Sequence, residues 1–205
     1  MHILVVAATE LEIPRLASGR HGAHDVEILV TGVGMVATAA HCSRVLARHP
    51  IDLALNLGVC GSFDAALAPG TVVHIVEDRL AELGAEDGEH FLEIEKMGLG
   101  QTSVVVNRTP PQLTGLERLP RVTGITVNTV HGSESSIAAI RQRCTADVES
   151  MEGAAFAYAC SIAHVPYAQV SAVSNIVERR NREAWRMDLA VRQLNDVALA
   201  LLNHA

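Results

Sequence analysis

The chain has 205 residues, is 49% hydrophobic and 19% charged, and carries a formal net charge of -7. That length suits one well-buried domain. Lys and Arg do not cluster beyond Arg179-Arg180, which excludes general binding to a phosphate backbone and points to a small-molecule partner. Aromatic residues make up only 3%, so the core must be built from Ala, Val, Leu and Ile, as in strands covered by helices on both faces.

The first segment, Met1-His-Ile-Leu-Val-Val-Ala-Ala8, is apolar but short. No basic leader or cleavage-like site precedes Glu10 and Glu12, so it is expected to be a strand over residues 2–8. Runs rich in Val, Ile and Leu predict further strands at 26–31, 52–57, 71–77, 102–106, 122–130 and 166–174, and helical patterns fall near 35–48, 133–143, 152–163 and 181–203. No helix intervenes between residues 52 and 106, so a simple strand–helix repeat does not fit. The expected architecture is a single α/β domain with a central, mixed, partly closed β-sheet flanked by helices. Ala81–Gly88, acidic and Gly-bearing, is expected to be a loop, and Pro110-Pro111 with Thr114-Gly115 marks another. No apolar stretch approaches the ~20 residues needed to cross a bilayer. Cys42, Cys60, Cys144 and Cys160 show no Cys-x-x-Cys spacing, which is consistent with buried thiols and a cytoplasmic location.

Candidate chemistry follows the same order. Of Glu10 and Glu12, the one nearer the sheet edge can polarise a water for attack on a sugar carbon; the helix dipole alone also favours acids in a first turn. Thr31-Gly-Val-Gly34 precedes a helix as a backbone approaching a ligand would, but no acid follows where a dinucleotide fingerprint needs one, so no nicotinamide and no other cofactor is expected. Asn56-Leu-Gly-Val-Cys-Gly61 ends a predicted strand with two glycines, either to let a flat base lie against the backbone or for tight turn packing. Gly58, Cys60 and Gly61 are therefore candidate substrate contacts. The histidines lack His-x-x-x-His or Cys-adjacent spacing, so no metal is expected. His131 follows a predicted strand at the edge of a site, as a cap or surface histidine also would, and Ser133 and Ser135 can cap a helix.

Two segments carry the strongest signal. Asp147-Val-Glu-Ser-Met-Glu152 puts a carboxylate beside an unbranched thioether at the mouth of a helix. Glu152 can accept from both ribose hydroxyls while Met151 covers the sugar's carbon face. Tyr167–Val173 ends in Ser174-Asn175, delivering an amide at the end of a buried strand. An amide offers a donor and an acceptor side by side, the pattern that a purine's O6 and N7 require.

Ala8-Thr-Glu-Leu-Glu12, Thr31-Gly-Val-Gly34, Asn56–Gly61, Ser150-Met-Glu152 and Val173-Ser-Asn175 occur in the order seen in the nucleoside phosphorylase and nucleosidase superfamily, which the chain resembles over nearly its whole length. Glu149–Phe156, Ser174–Asn181, Trp185 and Ala81–Gly88 resemble most the futalosine hydrolase subgroup. The resemblance implies hydrolysis of the N-glycosidic bond of futalosine with release of hypoxanthine, within menaquinone biosynthesis, by a homo-oligomer. It also implies that Glu12 activates water and that Met151 and Glu152 hold the ribose. Asn175 stands where the methylthioadenosine/adenosylhomocysteine nucleosidases carry an aspartate that protonates adenine. Ser171 replaces an arginine and Val59 a small hydroxyl residue of those enzymes. Glu12 and Asn175 are thus the expected catalytic residues, and Met151, Glu152, Gly58, Cys60, Gly61 and Ser174 the expected substrate-binding ones. With a 6-oxopurine the 6-position is an acceptor, which a carboxylate would repel and an amide can satisfy. The alternatives are a methylthioadenosine-type nucleosidase, a purine nucleoside phosphorylase and, least favoured, a non-catalytic nucleobase-binding module. The absence of arginine beside the glycine turns argues for water over phosphate as co-substrate.

Overall fold

Ile3 to Ala7 expose no surface at all, as expected of a strand with partners on both edges and helices on both faces. In chain order the elements are β1 (His2–Ala7), β2 (Gly19–His21), β3 (His24–Val30), α1 (Met35–Leu46), β4 (Leu53–Ser62), β5 (Val72–Leu80), β6 (Gly84–Asp87), β7 (His90–Glu93), β8 (Val104–Val106), β9 (Arg121–Thr126), α2 (Glu134–Arg143), β10 (Val148–Ser150), α3 (Gly153–Ala163), β11 (Tyr167–Ile176) and α4 (Met187–Asn203). The computed structural model describes residues 1–88, 90–100, 102–107 and 110–203.

The main sheet runs β10-β9-β5-β11-β4-β1-β3-β2, with β8 added to β5. β10 also pairs with β4, so β10, β9, β5, β11 and β4 close on themselves while β1, β3 and β2 extend from the ring. Parallel pairs such as β1/β4 and β11/β4 coexist with antiparallel ones such as β11/β5. This is the mixed, partly closed sheet that the sequence predicts, in one α/β domain.

Side chains alternate across β1 with the two-residue period of a strand. Ile3, Val5 and Ala7 join Leu194, Ala198, Leu201 and Leu202 of α4 on one face. Leu4 and Val6 join Cys42 and Leu46 of α1 and Phe156 and Cys160 of α3 on the other. Burying each such Leu or Ile side chain is worth roughly 1.5–3 kcal/mol. Among the described residues, no helix is long and apolar enough to cross a membrane.

Several boundaries differ from expectation. Asn56–Gly61 does not end a strand: β4 continues through both glycines to Ser62, because Gly61 leaves room for its neighbours' side chains. Residues 84–87 form half of a hairpin with β7 rather than a loop; a side chain at Gly84 would overlap the Leu92 carbonyl and the Phe91 ring. β9 stops at Thr126 instead of reaching 130. The last helix starts at Met187, not 181, since the preceding N–H groups are already used. Val177 donates to the Ser62 carbonyl, Arg180 to that of Gly132 and Arg186 to that of Ser174. β2 and β10, three residues each, are too short for a period to show.

The start of α3 is the tightest joint in the fold. A Cβ at Gly153 would overlap the Asp78 carboxylate and the Gln169 side chain and stand 3.1 Å from Ser150 Oγ. An Ala in place of Gly inside a helix normally stabilises by about 1 kcal/mol. Gly153→Ala is expected to do the reverse, costing about 1–3 kcal/mol through overpacking, as measured by urea denaturation. A neutral or stabilising result would refute this close packing.

Candidate active site

A cavity of about 350 Å³ lies beyond the carboxyl ends of β1, β4, β10 and β11, where ligands of open α/β sheets bind. Its walls are apolar with a few convergent polar groups, as in small-molecule sites generally.

From β1 the chain passes through Thr9 into a single 3-10 turn, Glu10–Glu12. Thr9 closes it as a capping box, its N–H and hydroxyl donating to Glu12 Oε2 at 2.8 and 3.2 Å. From behind, the buried Asn195 of α4 donates to the Glu12 carbonyl at 2.8 Å. Glu10 points to solvent, so of the two acids only Glu12 lines the cavity. Burial raises its carboxyl above the ordinary range, opposed by the N–H and hydroxyl of Thr9 and the N–H groups of Val59 and Ala8. The expected helix start is absent: the two acids stand in one isolated 3-10 turn, so hydrogen bonds rather than a helix dipole hold Glu12. Gly58 is not part of the cavity wall. It lies beneath the carboxylate, where a Cβ would stand 3.5 Å from Glu12 Oε1.

Glu152 precedes α3. Its Oε1 accepts from the N–H of Gly34 at 2.8 Å and its Oε2 from that of Met151 at 3.2 Å. Gly32 and Gly34 have φ of 86° and 97°, a conformation that glycine adopts without strain; the Gly-x-Gly turn thereby presents its backbone to this carboxylate. Burial raises the Glu152 carboxyl, the Gly34 N–H opposes, and the charge of Glu12 raises it further. Met151 lines the cavity beside it.

On the opposite wall the pairing of β11 with β4 shifts by one residue, from Val173 opposite Cys60 to Asn175 opposite Gly61. Ser174 is the extra residue of this bulge, a device that re-aims the side chain that follows it. Its hydroxyl lies 3.1 Å from the Cys60 carbonyl and 2.8 Å from Asn175 Oδ1, while Asn175 Nδ2 donates to the Ile176 carbonyl at 3.0 Å. One proton of the amide and one lone pair of its oxygen remain for a ligand. The Cys60 thiol belongs to a core cluster with Val73, Val148 and Val173, and burial pushes it up to about 12. It is no nucleophile at neutral pH.

Sequence reasoning missed Glu149. Only 3% exposed, it lines the cavity and accepts from the His131 N–H at 3.1 Å through Oε1 and pairs with His131 Nδ1 at 2.6 Å through Oε2. His131 is thus neither a cap nor a surface residue. A strand of three residues shows no period by which an acid facing a cavity could be recognised. Of the arginines that follow β11, Arg180 reaches the cavity mouth, 5.2 Å over the Trp185 ring; Arg179 and Arg182 do not line it. Ser133 caps α2 as expected.

Behind Glu152 lies a buried network. Thr126 Oγ1 donates to Asp78 Oδ1 at 2.9 Å and accepts from the N–H of Ala154 at 2.7 Å. The Gln169 amide, in the orientation that satisfies it, donates to Asp78 Oδ2 at 3.1 Å and the Gly153 carbonyl at 3.3 Å. Asp78 has no exposed surface, and burial pushes its carboxyl up to about 7 against these hydrogen bonds.

A search of family models matches residues 7–203 to the phosphorylase superfamily. Futalosine hydrolase of Acidothermus cellulolyticus is 34% identical over 97% of this chain and 89% of its own. That of Thermus thermophilus is 34% identical over 85% and 80%. Among solved structures, the methylthioadenosine/adenosylhomocysteine nucleosidase of Neisseria meningitidis in complex with methylthio-immucillin-A superposes with a TM-score of 0.80 over 98% of each chain, at 16% identity. The chain belongs to the phosphorylase superfamily and, within it, to the futalosine hydrolase family.

Asp78 supplies a test of the network. Its folded value, about 7, lies above its ordinary 3.8, so between these the folded state holds the extra proton and its contribution to stability is lost as pH rises through that window. Asp78→Asn removes the titration. The denaturation midpoint of the unmutated protein, relative to the variant, is expected to fall between about pH 4 and about pH 8; a constant difference would remove Asp78 as the titrating group.

Proposed function

We propose that the chain hydrolyses the N-glycosidic bond of futalosine, releasing hypoxanthine and dehypoxanthinyl futalosine in menaquinone biosynthesis. The observation that carries this reading is the meeting in one cavity of Glu12, Met151, Glu152 and Asn175. Three separate parts of the chain deliver the groups that the reaction needs.

Cleavage leaves positive charge on the sugar and negative charge on the departing purine, and both need stabilisation. Glu152 has lone pairs left beyond its two backbone bonds for the ribose hydroxyls, and Met151 offers a soft apolar surface to the sugar ring. Thr9 bonds to Oε2 of Glu12, and a lone pair of Oε1 can take a proton from the attacking water. A raised carboxyl makes it a better general base than an exposed glutamate. Asn175 donates to the purine through its free amide proton, and its oxygen accepts from N7 once that nitrogen is protonated.

Water is favoured over phosphate by charge. Glu12, Glu149, Glu152 and Glu178 line the cavity against one arginine, Arg180, at the mouth. A doubly charged co-substrate would meet uncompensated carboxylates there. The four free cysteines, three of them buried, support a cytoplasmic location. Leu11 and Val33, 80% and 58% exposed at the cavity mouth, support a homo-oligomer in which a second copy covers them, with a mass above that of one chain in sedimentation.

Glu12→Ala is expected to keep nucleoside binding while kcat falls by about 10²- to 10⁴-fold. Chromatography of futalosine, inosine and methylthioadenosine digests, with and without phosphate, should show hypoxanthine from futalosine at a phosphate-independent rate. Equal release of adenine from methylthioadenosine, or a rate that requires phosphate, would sink the assignment.

A further inference from the structure

Three neighbouring strands place Glu149, Gly61 and Asn175 side by side. In the pairing of β10 with β4 Glu149 stands opposite Gly61, and in that of β11 with β4 so does Asn175. Residues paired across strands direct their side chains to the same face, and the missing side chain of Gly61 confirms the convergence. A Cβ there would meet Asn175 Nδ2 at 3.3 Å, Glu149 Cγ at 3.6 Å and Val177 Cγ2 at 2.9 Å. An amide and a carboxylate thus flank one empty position in the cavity wall, and both line the cavity. The register of Asn175 here depends on the bulge at Ser174; without that shift Ser174 would stand opposite Gly61.

Glu149 is otherwise hard to account for. A carboxylate 3% exposed is costly, and its bonds to His131 use only one lone pair on each oxygen. The unused lone pairs are acceptors in a cavity wall, which asks for a ligand donor. Next to an amide proton, that donor must be adjacent to an acceptor on the ligand. A 6-oxopurine has this sequence along one edge, N7 and O6 accepting and N1–H donating. A 6-aminopurine reverses it, with N1 accepting.

We propose that Glu149 is a specificity-determining residue that accepts the N1–H of the departing 6-oxopurine, while Asn175 contacts its O6 and N7 from the other side of Gly61. This rests on the reading of the site as a hypoxanthine nucleosidase and names the residue that excludes adenine. A 6-aminopurine would set a lone pair against the carboxylate, a repulsive element of the kind that specificity requires. The contact should act on binding rather than on bond breaking, because a carboxylate gives no help to negative charge developing on the purine. Loss of Glu149 should therefore raise KM more than it lowers kcat.

Trp185, the one tryptophan of the chain, lines the same cavity, so its fluorescence reports on bound base. The probes are hypoxanthine and 6-methoxypurine, which keeps an oxygen at position 6 but has an acceptor at N1. The unmutated protein is expected to prefer hypoxanthine by about 10- to 100-fold, the value of a hydrogen bond to a charged group. Glu149→Gln keeps the shape of the side chain, can still accept from the His131 N–H and can turn its NH₂ to the base. In that variant the preference should shrink to within a few-fold or invert. Equal binding of the two bases by the unmutated protein, which needs no variant to fold, would overturn the inference. So would a Glu149→Gln protein that retains the full preference, even if the unmutated enzyme releases hypoxanthine from futalosine and the reading of its activity stands. Failure to release hypoxanthine at all would overturn both.

Discussion

Burying carboxylates is the constraint around which this fold is organised. Glu12, Glu149 and Glu152 sit in the wall of one apolar cavity, and burial raises all three. A charge taken out of water survives only with hydrogen-bond donors aimed at it. The backbone is the cheapest rigid source of donors. Thr9 supplies its N–H to Glu12, Gly34 and Met151 theirs to Glu152, and His131 its own to Glu149. Each donor sits on a turn or strand end whose position is dictated by that duty. The 3-10 turn after β1, the positive-φ glycines before α1 and the loop after β9 are accordingly parts of one electrostatic arrangement, though they are far apart in sequence.

The sheet provides the frame in which those donors can meet. Because β10 pairs with both β9 and β4, the strands curl into a ring, and the carboxyl ends of β4 and β11 meet the segments that follow β1 and β10 around one cavity. An open sheet would have left Glu149 and Asn175 on distant strands. Closure alone would not align them, however. The bulge at Ser174 and the absent side chain at Gly61 set the final register, and the hydroxyl of the bulged serine fixes the amide next to it. Ser174 and Gly61, both expected to touch substrate, line the cavity and also shape it, one by orienting Asn175 and the other by making space.

Much of this was legible in the sequence, for reasons that can be stated. Long strands buried on both faces, such as Tyr167–Ile176, print a continuous apolar run, α1 buries Thr38, Cys42 and Leu46 at a helical period, and α2 starts at a recognisable serine cap. Glu12, Met151, Glu152 and Asn175 could be singled out because each is polar or flexible next to an otherwise apolar element. Glu149 could not, since a three-residue strand has no period and its partner, His131, is 18 residues away. The Asp78–Thr126–Gln169 network was equally hidden: each member is one polar residue in a different strand, brought together only by the sheet order. The helix boundary at Met187 was missed because the competing hydrogen bonds of Val177, Arg180 and Arg186 are tertiary.

The neutral amide at position 175 is best understood together with the acids around it. Glu12 and Glu152 already interact unfavourably, the charge of one raising the other, which suits a site where positive charge is to develop between them. A further carboxylate at position 175 would have to be protonated to donate, and the existing negative charge would help to keep it so. An amide donates at any pH and leaves the cavity's charge unchanged. It also frees the neighbouring acid, Glu149, to remain an acceptor paired with His131. On the reading proposed above, an amide in place of a carboxyl therefore does more than change one contact: it would move the acceptor role to the far side of Gly61 and turn around the donor–acceptor order presented to the base.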